Sequence, residues 1–460
     1  MDLSSRLRAI VKSGPSRPSR ELTYEPDTGG YEATMDLARV GAMLGGRPAE
    51  SAFGQCLIID RRYESDRFHG AVRIGDCEVE DSAGLDILDP TLYRGQTPAA
   101  SGGHRALGRT IFIDLETTGL SGGAGTVAFL VGCGYFDLGA FQVRQFLLTS
   151  YASERALLTT VAEFFEGADL IVTYNGKTFD VPMMETRWLF HRMQMPDFSA
   201  TGVPHFDMLH PARRLWKSRE GADNGGCRLS TLERVLFGVK RVGDVPGSEI
   251  PARFFRFLRS GDPRPLEPVL EHNRLDLVSL AAVMARGVRL ALHGHVACRD
   301  GAEALALGRV YERVGAIDRA EECYRCAVAS EAPEVKGEAL YRLGLRYRRE
   351  RRFEEAAIVW RNIITWTEPR GIRTVSTLRE LRQFAAQALA IHHEHRVRDL
   401  DCARELALFA LKEGDAVHGG EMRHRLERIE RKIASKLDQR IAQEAGQRLA
   451  QKKDAQLFLS

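Results

Sequence analysis

The sequence predicts an α/β domain, a mixed sheet with flanking helices, followed by an all-α domain of helical repeats. Three observations carry this expectation. Between about residues 106 and 292, short β-branched apolar runs alternate with amphipathic helical stretches, and two of the runs read as a hairpin. Beyond residue 300, a pattern of small and aromatic residues recurs at an offset of 36, 343 minus 307.

Residues 1–45 are rich in Gly, Pro, Ser and Arg and are expected to be a flexible N-terminal segment. Residues 46–105 form a small accessory β-containing region and linker, with strand-like runs at 56–59 and 70–74 and a linker at 98–104. No activity is assigned to either segment. The main domain, 106–292, opens with the apolar run 110–113, which ends directly in Asp114-Leu115-Glu116. Strand alternation puts Asp114 and Glu116 on one face. Two solvated acids on a surface strand edge are the plainer alternative, but a carboxylate that follows an apolar run with no turn signal is costly without a partner.

Runs 127–136 and 141–148 are joined by Asp137-Leu138-Gly139-Ala140 as a hairpin, and a helix over 153–165 follows with Ser153 as N-cap. The run 170–174 is a second strand, closed by the turn signal Asn175-Gly176. Asp180 precedes Pro182 at the start of a helix, a place where carboxylates also occur simply to meet the helix dipole. Further on, Leu277, Leu280, Ala281, Met284 and Val288 form an apolar helical stripe flanked by His272 and Asp276 on one face. Taken alone, such a His/Asp pair is more often a local contact than a site.

Asp114, Glu116, Asp180 and Asp276 thus lie in three separated clusters; convergence would make a carboxylate pocket fit for two divalent cations and phosphodiester hydrolysis. Asp114-x-Glu116 with Thr117-Thr118-Gly119-Leu120, Asn175-x-x-x-Phe179-Asp180 and His272-x-x-x-Asp276 resemble the three motifs of the DnaQ-like, or DEDD, exonucleases of the ribonuclease H-like superfamily. The stretches GGAGTVAFLVGCGYF and HFDMLHPARRLW resemble more closely the bacterial YprB-type ribonuclease H-like proteins. The resemblance implies a ribonuclease H-like fold and 3′ to 5′ hydrolysis of RNA or DNA from its 3′ end. It implies two Mg²⁺ or Mn²⁺ ions on Asp114, Glu116, Asp180 and Asp276, with His272 as general base and Thr117, Asn175 and Asp207 toward the substrate. Histidine-type members carry His-x-x-x-x-Asp, so here His272 stands where the tyrosine branch has its tyrosine, and its role stays open. His205, Asp207 and His210 fit no zinc spacing rule, while Lys177, Arg213 and Arg214 are placed to meet phosphates or solvent. A weak or inactive nucleic-acid-binding ribonuclease H-like protein, or a repeat scaffold, is the alternative.

In residues 300–415, Leu307, Gly308, Tyr311, Ala320, Tyr324 and Ala327 recur as Leu343, Gly344, Tyr347, Ala356, Trp360 and Ile363. This matches the tetratricopeptide (TPR) pattern and suggests a surface for a protein partner. A degenerate third unit is visible at Ala390, His393, Ala403 and Ala407, and residues 416–460 are a capping helix and tail striped by Leu426, Ile429, Ile433 and Leu437. Cys323-x-x-Cys326 lacks a second pair and is taken as packing. Arg342, Arg346, Arg348, Arg349, Arg351 and Arg352 crowd together, as a phosphate patch or as a solvated helix face.

With 460 residues and 44% hydrophobic content the chain has material for several cores, but a net charge of +3 gives nucleic acid no general attraction, so local clusters must supply it. Eight scattered cysteines fit a reducing compartment, and no apolar run is long enough for a signal core or membrane span; the cytoplasm is expected.

Overall fold

The computed structural model describes residues 36–94, 104–119, 125–194, 196–198, 202–217, 227–365, 376–413 and 419–457. Most of the segment expected to be flexible, and nearly all of the expected linker, lie outside the described residues. The last part of the N-terminal segment is an ordered helix, α1 (Leu37–Leu44).

The first accessory run, 56–59, extends the sheet of the main domain, together with a preceding strand that was not expected. β1 (Arg47–Ser51) pairs with β2 (Gly54–Glu64). The second accessory run shrinks to the two-residue pair β3 (Phe68–His69) and β4 (Val72–Arg73), and α2 (Ala83–Leu88) follows. Then come β5 (Thr110–Thr117), β6 (Ala128–Asp137), β7 (Ala140–Leu147), α3 (Glu154–Phe165), β8 (Leu170–Thr173), α4 (Asp180–Phe190) and β9 (His205–Asp207). The seven-stranded sheet runs β1-β2-β7-β6-β5-β8-β9. It is antiparallel from β1 to β5, then parallel through β8 and β9.

Local sequence explains the joints. The β6–β7 connection is a two-residue turn in which Leu138 (φ 48°) and Gly139 (φ 71°) are both left-handed, the geometry that matches strand twist. Ser153 makes no side-chain cap for α3; a 3-10 turn precedes it, and Ser150 and Ser153 form a reciprocal capping box there instead.

After β9 the chain forms α5 (Leu209–Trp216), α6 (Leu229–Phe237), α7 (Ile250–Ser260) and the long α8 (Glu267–His293). Alternation along β7 separates two layers: Phe146 packs edge-on to Phe164 of α3, while Gln145 hydrogen-bonds into α8. On the α8 side, Phe112, Val172 and Phe206 are register neighbours on β5, β8 and β9 and share one core with Leu277, Leu280 and Met284. Asp114 and Glu116 have the parity of Phe112, so the row that buries the domain's core also aims these two acids at α8.

The remainder is helical: α9 (Gly301–Arg313), α10 (Ile317–Val328), α11 (Pro333–Arg349), α12 (Phe353–Thr365), α13 (Ser376–His392), a π-helical turn His393–Val397, α14 (Leu400–Glu413) and α15 (Gly419–Leu457). The 36-residue offset appears as a repeated contact. A Cβ on Gly308 would lie 2.5 Å from the Tyr324 ring, and one on Gly344 would lie 2.1 Å from Trp360 Nε1. Each glycine lets an aromatic of the next helix close onto the backbone. The array joins the first domain through Trp216, whose indole donates to Glu303 at 2.9 Å. Cys323 is buried in this core.

Two expectations change. The stripe on α15 is covered only in its first part: Met422 and Ile429 are buried, whereas Leu437 and Ile441 are exposed. Half of the arginine cluster is committed to ion pairs, Arg342 with Glu312 and Glu338, Arg346 with Asp318, Glu321 and Glu350, and Arg352 with Glu321, Glu350 and Glu355, while Arg348, Arg349 and Arg351 are exposed. Among the described residues, no helix is long and apolar enough to cross a membrane.

Candidate active site

The site forms where β5 ends, where the turn after β8 opens α4, and where the N-terminal half of α8 crosses the sheet. Asp114 is gripped by Asn273 of α8, whose Nδ2 donates to the Asp114 carboxylate at 2.8 Å and to its carbonyl at 3.1 Å. Asn273 is fully buried, and its own oxygen accepts from Gln145 Nε2 at 2.8 Å. The amide reaches the strand because β6 has Gly132 opposite: a Cβ there would lie 2.1 Å from Asn273 Oδ1. Asp180 arrives through the turn after β8, in which Asn175 is left-handed (φ 72°). Its carboxylate accepts a backbone hydrogen bond from Leu115, between Asp114 and Glu116.

The electrostatics record the convergence. Burial, and then the charges of Asp276, Glu116 and Asp180, hold the Asp114 carboxyl well above the usual carboxylate range. Glu116 is raised in the same way by burial and by Asp276, Asp180 and Asp244. Asp180 is pushed up to about 7 by burial, with Asp207 adding to the effect and backbone N–H groups opposing it. Like charges gathered out of water in this way are the arrangement that a divalent cation relieves, and an all-oxygen donor set suits a hard ion.

Asp276 is placed differently. Arg241, almost fully buried, grips Glu233 with Nε–Oε1 2.6 Å and Nη2–Oε2 2.9 Å, and reaches Asp276 Oδ1 with the same Nη2. Behind Glu233, the Ser279 hydroxyl donates to its carboxylate and lies 2.8 Å from His69 Nε2. His272 Nδ1 lies 2.6 Å from Asp244 Oδ1, and its Nε2 lies 3.5 Å from Asp276 Oδ2. The structure therefore brings all four acids and His272 into one neighbourhood. They are spread wider than a closed cage: among the described residues, the one trio of metal-ligating atoms all within 4.8 Å of one another is His393, Asp399 and Cys402, in the helical part.

The remaining sequence candidates have visible partners. Asp207 accepts from the backbone N–H groups of Asn175 (2.8 Å), Lys177 (3.1 Å) and Leu209 (3.1 Å), so it fixes the turn that delivers Asp180. The Asn175 side chain accepts from Thr178 at 2.8 Å, and the Thr117 hydroxyl donates to the Gly119 carbonyl at 2.8 Å. His205, pushed down to about 4 by burial and by Lys177, lies 2.7 Å from Thr173 Oγ1. Lys177 pairs with Asp89 at 3.4 Å and Arg214 donates to the Leu88 carbonyl at 3.0 Å, while Arg213 is exposed.

Sequence reasoning missed Asn273, Gln145, Gly132, Arg241, Glu233 and Asp244. A glycine inside an apolar strand run marks a close approach, and Asn273 lies four residues before Leu277, in line with the apolar stripe. Those two signals were available. The Glu233–Arg241 clamp spans a loop and had none.

Residues 111–287 match the family described as RNase_H superfamily. The chain is similar to YprB of Bacillus subtilis (strain 168), 29% identical over 385 residues, 83% of this chain and 87% of that one. The family B DNA polymerase of the hyperthermophilic archaeon Pyrobaculum calidifontis aligns with 47% of this chain and 30% of its own at 14% identity and TM-score 0.31, too slight a likeness to support an argument. The mixed sheet, its flanking helices and the family match together identify residues 111–287 as a ribonuclease H-like domain of the RNase H superfamily.

Proposed function

We propose that residues 106–292 are a metal-dependent exonuclease domain that hydrolyses nucleic acid from its 3′ end. The observation that carries this reading is the gathering of half-buried Asp114 and Glu116 with buried Asp180, whose carboxyls are all held above the usual range. Together with Asp276 they would hold two Mg²⁺ or Mn²⁺ ions, which supply charge stabilisation to the phosphate and a water of lowered pKa. The chain's own part is positioning. Asn273 orients Asp114, the Leu115 N–H orients Asp180, and Asp207 shapes the Asn175 turn. With Asp244 accepting from Nδ1–H of His272, the Nε2 atom is the basic nitrogen facing the acids, where it takes the proton of the attacking water. Thr117 and Asn175 line the approach for the substrate end. The repeats over 300–415 and the helix over 416–460 serve as a tetratricopeptide-like docking body for a protein partner, a reading supported by the Gly308–Tyr324 and Gly344–Trp360 contacts.

A second reading, a domain that holds nucleic acid without cutting it, is favoured by one observation: Arg241 already neutralises Asp276. The test is purified full-length protein with end-labelled RNA and DNA, each end blocked in turn, plus Mn²⁺, beside Asp114→Ala and Asp276→Ala. Cleavage from free 3′ ends that both substitutions abolish is expected. Cleavage unchanged in both variants overturns the site, and binding without cleavage in the unaltered protein supports the second reading.

A further inference from the structure

In the helical part, the turn between α13 and α14 gathers a nitrogen, an oxygen and a sulfur. One ring nitrogen of His393, one carboxylate oxygen of Asp399 and the Cys402 thiol all lie within 4.8 Å of one another. We propose that these three side chains bind a divalent transition metal of the zinc class. The spacing, His-x₅-Asp-x₂-Cys, falls on a short π-helical turn followed by the start of α14, and π-turns inside helical segments are found disproportionately at functional positions.

Each residue has an ordinary explanation that covers only part of what is seen. Asp399 accepts the backbone N–H of Cys402 at 3.0 Å through Oδ1, a helix N-cap, which leaves its second oxygen for another partner. Cys402 lies in the first turn of α14, its thiol pushed up by burial and by the Asp399 and Glu405 carboxylates. His393 is not explained by packing: it is 8% exposed, yet its buried Nδ1 has no hydrogen-bond partner. Imidazole, thiol and carboxylate together are donor types that suit an ion of the zinc class, and a buried ring nitrogen without a hydrogen-bond partner is one that such an ion could satisfy.

Charge is the main opposition. Arg361 Nη2 lies 3.5 Å from His393 Nε2, and a guanidinium disfavours a nearby cation. Thiolate and carboxylate bring two negative charges against it. As the metal–sulfur bond forms, the thiol proton leaves to solvent. Three protein ligands leave one tetrahedral position for water or a fourth donor.

The site sits on the seam that seats the tail helix. Glu394, the next residue, has a fully buried carboxylate held by Arg425 (2.9 Å), Arg428 (2.8 Å) and Lys432 (2.7 Å) of α15. Metal occupancy at His393 would stiffen the turn that presents Glu394, and so tighten the docking of α15.

The test uses the full chain, stripped by chelator and titrated with Co²⁺ alone. One equivalent should produce a thiolate-to-cobalt charge-transfer band in the near ultraviolet that Zn²⁺ abolishes. Cys402→Ser should remove the band, His393→Ala should weaken Co²⁺ binding at least tenfold, and Cys326→Ser should leave both unchanged. No band in the unaltered protein, or a band that survives in Cys402→Ser, overturns the proposal. The acids of the proposed nuclease site carry no sulfur, so this result is independent of whether the chain cleaves nucleic acid.

Discussion

Gly132 offers the sharpest test of how Asp114 is held. In Gly132→Ala the new methyl would lie 2.1 Å from Asn273 Oδ1 and 2.7 Å from its Cγ and Nδ2. These atoms cannot swing aside freely, because Asn273 is fully buried and tied to Gln145 at 2.8 Å and to the Asp114 carboxylate at 2.8 Å. Overpacking in a tight core costs about 1–3 kcal/mol. Displacing the amide also strands the buried Gln145 N–H, for about 1–3 kcal/mol more. The expected loss is therefore about 2–6 kcal/mol, read as a lowered urea midpoint at unchanged slope. Asn273→Ala made first should reduce the further cost of Gly132→Ala to below about 1 kcal/mol, since the clash partner is gone. A single Gly132→Ala variant within about 0.5 kcal/mol of the original protein would refute the clamp.

Arg241→Met should destabilise by about 3–5 kcal/mol in denaturant unfolding, because it leaves the buried Glu233 carboxylate without its cation. With no divalent ion added, stability should fall as pH rises from about 4 to about 7: the folded state holds the Asp180 proton up to about 7, above the usual carboxylate value. This contribution, up to about 4 kcal/mol, should vanish in Asp180→Asn, and saturating Mg²⁺ should flatten it. Arg346→Ala should cost about 1–3 kcal/mol through its pairs with Asp318, Glu321 and Glu350. The same change should leave the salt slope of RNA binding where it was, since this guanidinium is already spent within the helical array.

The parts of the site that sequence could show are those set by local periodicity. Asp114 and Glu116 were legible because an apolar strand run led straight into them, and Asp180 because a strand, an Asn-Gly turn and a proline-opened helix lie in line. The β6–β7 hairpin could be placed to within a residue because its turn residues are characteristic. What escaped depends on tertiary register. Gln145 lies in a strand whose neighbours face both layers, and only the crossing of α8 makes it the holder of Asn273. Arg241 looks like one more charge in a loop until Glu233 and Asp276 close on it. The ion pairs of Arg342 and Arg346 were hidden for the same reason: Glu312, Asp318 and Glu321 come from the two helices before them. The attachment of β1 and β2 to the main sheet was equally invisible, because strand pairing across about eighty residues leaves no mark in local composition.

The most direct measurement is a calorimetric titration of Mn²⁺ into the full-length chain, set beside Asp114→Asn and Asp180→Asn. Saturable binding that each substitution weakens at least tenfold, while leaving the fold intact by circular dichroism, is the result expected of carboxylates joined around shared cations. Equal Mn²⁺ affinity in all three proteins would contradict the account.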